Sequence, residues 1–199
     1  LRNKLGRSWR LYIDNKKYKK HYSLAHKEII YYFLDIPQLK SYFSIHKIVQ
    51  MGLNNNKLPG EWYGPETISK VIRDMVNNNN LIDFSIYVSN DSFIVREDII
   101  NLCNNNKVSK ILLLIPLRLG LDSINSIYFD SIFKLLEFPE SVGIIGGKKN
   151  HSVYYIGYQN HDLYYLDPHY VQNKINSNLY FPTVNDLLSY HNMKQLKMN

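Results

Sequence analysis

The stretch SVGIIGGKKNHSVYYIGYQNHDLYYLDPHYVQ, Ser141 to Gln172, decides the fold. It holds three β-type runs, SVGIIGG, HSVYYIGY and HDLYYLD. The last two are joined by Gln159, Asn160 and His161, a short polar connection suited to a hairpin. The spacing therefore predicts antiparallel sheet in the C-terminal third. Alternation along the last run puts Leu163, Tyr165, Asp167 and His169 nominally on one face. Pro168 pushes Asp167 out of the α region and, lacking an N–H, ends the ladder at a rim. Carboxylate and imidazole then lie within hydrogen-bond reach. In that geometry Asp167 accepts from one ring N–H, and the other nitrogen is left to take a proton, as a base serving a nucleophile does. The plainer alternative is that Asp167-Pro168 begins a turn and His169 is a surface residue.

Upstream the apolar period changes to that of helices. Tyr22 to Leu34 reads as one helix, stopped before Pro37. Ser44 to Met51 reads as a second, with Ser44 as cap and Gly52 as terminator. In a third, Ile68, Val71, Ile72 and Met75 share a stripe, with Pro65 at the first position and Glu66 in the first turn. A fourth runs through REDIINLC (Arg96–Cys103). In a fifth, Ile124, Ile127, Tyr128, Ile132, Leu135 and Leu136 repeat at three and four. FSIYV (Phe84–Val88) is a short strand, and KILLLIPLRLG (Lys110–Gly120) predicts a strand buried on both faces. Helices early and antiparallel strands late predict an α+β domain, with no repeat and no interdomain linker.

With 199 residues, 45% of them hydrophobic, the chain suits one globular domain with a sizeable core. The formal charge of +7 invites a nucleic-acid partner, but the lysines are scattered apart from NKKYKK (Asn15–Lys20), which reads as a solvated loop. The asparagine tracts 54–56, 77–80 and 104–106 read as loop fillers. The lone Cys103 excludes a disulfide framework and fits a reducing compartment. No run is long and apolar enough to span a bilayer. Histidine and cysteine spacings suggest no metal site, and no cofactor is expected. There is neither a phosphate-binding Walker loop nor a Gly-x-Ser-x-Gly elbow. The tyrosine pairs read as packing residues rather than base-stacking platforms.

The segment Ser141–Gln172 closely resembles the signature segment of the autophagins, papain-like cysteine endopeptidases that process the ubiquitin-like modifier of autophagy. The resemblance continues upstream, in the family's order, through LGRSWR (Leu5–Arg10), YFSIHKIVQMG (Tyr42–Gly52), GEWYGPETISKVI (Gly60–Ile72) and LLLIPLRLGLDSIN (Leu112–Asn125). It implies a papain-like α+β fold and a single peptidase domain over residues 1–199, partial at both ends. It also implies that Asp167 and His169 are the catalytic acid and histidine, and that Trp62 lies over the active-site groove. Gly146–Asn150 matches the family's regulatory loop, so Gly147, Lys148, Lys149 and Asn150 are expected to cover the cleft and lift when substrate enters. Lys149 stands where the family motif usually carries proline.

In the autophagins the nucleophilic cysteine follows a Trp-Gly pair and opens a helix, which implies a position a few turns before Leu1. Cys103 lies towards the C-terminus of a predicted helix, an end that disfavours a thiolate, and is read as structural. The chain alone is accordingly expected to be inactive. The resemblance implies a cytoplasmic enzyme that cleaves after the modifier's C-terminal glycine and releases the modifier from phosphatidylethanolamine. Its expected partners are the free and lipidated modifier, with membrane contact only through the latter and no nucleic acid. The alternative is a non-catalytic, modifier-binding relative that lacks the nucleophile.

Overall fold

The computed structural model describes residues 28–36, 41–78, 84–108, 110–121, 123–148, 151–171 and 193–197. They fall into two compact units, one ending at Leu117 and the other beginning at Arg118. The architecture is α+β, with helices early and antiparallel sheet late, as expected of a papain-like fold.

In the first unit, residues 28–33 are helical, and the earlier part of the predicted first helix lies outside the described residues. Helix α1 (Ile45–Leu53) starts at Ser44, whose hydroxyl accepts from the Lys47 N–H, as predicted. Its end differs: Gly52 lies inside the helix, and Asn54 is the C-cap. The reason is space. A Cβ on Gly52 would sit 1.7 Å from the Tyr63 hydroxyl, so the glycine makes room for a tyrosine rather than a turn. Helix α2 (Pro65–Asn77) begins at Pro65 and buries Val71, Met75 and Val76, with a Lys70–Glu66 pair at 2.6 Å on its outer face. Strand β1 (Ser85–Val88) runs parallel to β2 (Ile111–Leu114), and α3 (Arg96–Asn106) makes the crossover. The core gathers Val76, Ile86 and Val88, with Phe43, Ile72, Leu112 and Leu114 packed against it.

Two expectations for this unit are corrected. The fully buried strand is β1, because α2 and α3 both pack on it, whereas Leu113 of β2 is exposed and pairing stops before Pro116. The asparagine tracts are also more than filler. Asn77 Oδ1 accepts from Ile86 N–H at 2.8 Å while its Nδ2 donates to Ile86 C=O at 3.0 Å, so one amide completes the outer edge of β1. Asn106 Nδ2 donates to Ser85 Oγ at 2.8 Å.

In the second unit, a 3₁₀ turn (Ser126–Tyr128) precedes helix α4 (Phe129–Glu137). The predicted helix from Ile124 is therefore shorter, and its stripe is out of phase at the start. A turn of three residues rotates Ile127 and Tyr128 outward, while Ile132 and Phe133 are buried. Strands β3 (Ile144–Lys148), β4 (His151–Gln159), β5 (Asp162–Leu166) and β6 (Met193–Lys197) form one antiparallel sheet in that order. The first three are those predicted, and β6 is an addition. Helix α4 packs on β4, and Ile132, Phe133, Val153, Tyr155 and Leu163 make the core between them. The β4–β5 hairpin turns at Asn160, whose φ of 57° is one that asparagine tolerates. Among the described residues no helix is long and apolar enough to cross a membrane.

Candidate active site

Strand β5 ends at Leu166, and the next three residues form the Asp-Pro-His corner. Pro168 can donate no ladder bond, so the chain leaves the sheet there. Asp167 is buried to 5% side-chain exposure, and its Oδ1 accepts from the backbone N–H of His169 at 3.0 Å. That contact closes a turn through an aspartate side chain. The same oxygen lies 2.7 Å from His169 Nδ1. A carboxylate can only accept, so Nδ1 is the donor, and in the neutral ring Nε2 presents a lone pair. The corner is a turn, and that turn sets the imidazole against the carboxylate.

A second pair, His46 Nδ1 and Asp35 Oδ1 at 3.0 Å, shows that an acid–imidazole contact alone is not diagnostic. There both side chains are about half exposed, at 54% and 51%, and solvent weakens the contact. Asp167 differs in being buried and in spending the same oxygen on backbone and ring.

Sequence reading missed one residue at this site. The His151 ring stacks on the His169 ring, with centroids 4.5 Å apart and planes 20° from parallel. The placement is a matter of register. Near the hairpin β4 and β5 pair Gln159 with Asp162 and Gly157 with Tyr164, but beyond a bulge at Ile156 they pair Tyr155 with Tyr165 and Tyr154 with Leu166. The ladder ends at Tyr154 and Leu166, and His151, farther along β4, meets His169 in the corner beyond β5. Ile156, the extra residue, shifts this half of β4 by one place relative to β5.

The remaining predicted residues fall as follows. Gly147 and Lys148 lie in β3, paired with Ser152 and His151, rather than in a loop. Gly147 has φ 153°, and a Cβ there would meet the His151 carbonyl oxygen at 2.2 Å, so only glycine fits beside that strand end. Lys149 and Asn150 lie outside the described residues. Trp62 belongs to the first unit, between α1 and α2, is 61% exposed, and has its six-membered ring beside Gly64. Its neighbour Tyr63 points the other way, against Gly52. Cys103 is half-buried towards the C-terminal end of α3, where its carbonyl accepts from Val108 N–H at 3.1 Å. A helix end rich in carbonyl oxygens opposes a thiolate.

A histidine held in one tautomer by a buried carboxylate can take a proton from a thiol or water and return it to a leaving group. Comparison with known proteins agrees in kind. The family model of the peptidase C54 catalytic domain matches residues 1–199. Cysteine protease ATG4C of Xenopus laevis is 34% identical over 192 residues, which cover 94% of this chain and 41% of that protein. Cysteine protease ATG4A of Gallus gallus is 33% identical, over 87% of this chain and 51% of that protein. Cysteine protease ATG4B of Gallus gallus is 34% identical, over 84% and 49%. The chain spans about half the length, or less, of the curated relatives it matches.

Proposed function

The chain belongs to the peptidase C54 catalytic-domain family, as the autophagin resemblance implied, and from that premise we propose that it carries the acid–base half of a cysteine endopeptidase. One observation supports this above the others: His169 Nδ1 lies 2.7 Å from the buried Asp167 carboxylate. His169 Nε2 takes the proton of a cysteine thiol, and the thiolate attacks the scissile carbonyl carbon. The amide C–N bond breaks as the imidazolium gives its proton to the departing amine. Water, deprotonated by the same nitrogen, then cleaves the thioester and frees the carboxylate and the thiol. Asp167 keeps the ring oriented and offsets the imidazolium charge.

The sulfur is proposed to come from a segment preceding Leu1, since Cys103 sits at an unfavourable helix end. Residues 1–199 are then part of one peptidase domain, inactive without that segment. The proposed substrate is a ubiquitin-like autophagy modifier cut after its C-terminal glycine, in the cytoplasm. Release from phosphatidylethanolamine uses the same chemistry, because that linkage is also a glycyl amide. Trp62 and the segment Gly147–Asn150 are proposed to line the slot for the tail, where residues without side chains pass most easily.

The test uses the full-length protein that contains this chain and a modifier precursor extended beyond its glycine. His169→Ala and Asp167→Asn should each lower kcat by roughly two to four orders of magnitude, with modifier binding retained. Full activity in both variants would sink the assignment. A wild-type protein that binds the modifier but never cleaves it would favour the non-catalytic reading.

A further inference from the structure

We propose that His151, Asp167 and His169 form a site for a zinc ion, which competes with the use of His169 as a base. Each of the three offers one ligand atom, and these atoms lie within 4.8 Å of one another. Two neutral imidazoles and one carboxylate are a common donor set for zinc, with a fourth position left open. Tetrahedral ligands at zinc–nitrogen distances of about 2.0–2.1 Å stand about 3.3 Å apart, so on binding the farther atoms draw in, the Asp167–His169 contact opens from 2.7 Å, and Nδ1 gives up its proton. The movement required is small. The rings now lie face to face, whereas a shared ion needs each nitrogen lone pair pointed at it. His151 and His169 are both exposed, and rotation about the second side-chain torsion of histidine is soft. Asp167 is buried and already oriented, so the carboxylate forms the fixed corner of the site.

The bulge at Ile156 sets the register of the half of β4 that carries His151, and the His169 ring stacks on the His151 ring from the corner beyond β5. The Gly147 approach to the His151 carbonyl holds that strand end from the other side. These are backbone features, so the two histidines are brought together without help from substrate. Zinc binding itself does not depend on the proteolytic reading. Its consequence does: an ion held on His169 Nδ1 leaves the ring proton on Nε2, the nitrogen that must accept the thiol proton, and the open position suits the thiolate.

The binding test therefore needs no turnover. The 199-residue chain is titrated with zinc alone and followed by calorimetry and by imidazole nitrogen resonances. We expect saturation at one ion per chain, with the shifted resonances those of His151 and His169. His151→Ser should weaken binding at least tenfold, because one of three protein ligands is lost, while Cys103→Ser should leave affinity unchanged. An unaltered circular dichroism spectrum in each variant establishes that the fold is retained. Zinc that binds equally well to His151→Ser, shifts other histidines, or fails to saturate overturns the proposal. In the full-length protein, zinc should inhibit cleavage, and His151→Ser should raise the zinc concentration needed. A protein with no cleavage activity at all would refute the proteolytic reading and leave the titration to decide the metal site by itself.

Discussion

At the scale of single residues, the structure repeatedly spends one side chain on two tasks. Asp167 Oδ1 receives both the backbone and the ring of His169, and Asn77 satisfies both main-chain groups of Ile86. Ile86 is 1% exposed, so Asn77→Ala leaves a buried N–H and C=O unpaired and should cost roughly 1–3 kcal/mol. Equal urea midpoints for wild type and Asn77→Ala would refute that role. Gly52→Ala should destabilise by about 1–3 kcal/mol, because the new methyl displaces the Tyr63 ring. The same measurement checks it, and a neutral outcome would mean that Tyr63 can leave without loss. The Asp-Pro-His corner was legible in the sequence because its geometry is local. Gly52 was not, since a glycine near a helix end has the same appearance whether it stops the helix or yields to a neighbour.

At the scale of elements, what the sequence left hidden is register and phase. Three strands and a hairpin could be read from alternation and the Gln-Asn-His connection, yet the bulge at Ile156 leaves no compositional mark. The His151–His169 contact joins a strand to the corner beyond its neighbour, so a candidate ligand escaped notice. The 3₁₀ start of α4 likewise changes the rotation of a stripe without changing its spacing. The sheet also has a pH limit of its own. Tyr158 has its phenol pKa raised chiefly by its hydrogen bond to Glu137, and burial raises those of Tyr154 and Tyr155. A pKa raised by folding means that the fold favours the neutral phenol. That contribution is complete below the ordinary value of 10.0 and is lost as pH climbs through the raised values. Stability should therefore fall above pH 10.0, with Tyr158→Phe blunting the fall. A thermal midpoint flat across that range in the wild type would contradict it.

At the scale of the whole molecule, the α+β order of elements was readable because helical and strand periods differ in kind. The family was readable because long motifs recur in order across nearly the full chain. What eluded sequence reading were the contacts decided by the partner element. The 199-residue chain by itself should not cut a modifier precursor, whereas the full-length protein should. Thiol-dependent cleavage by the shorter chain, abolished by Cys103→Ala, would reassign the nucleophile. One further consequence follows from the Asp167 turn. Carboxylate and ring are separated by a single residue, so their meeting closes a very short loop and costs little chain entropy. Loosening of the sheet admits solvent to the Asp167 carboxylate, so the couple keeps its low entropic cost but forfeits the burial that strengthens it.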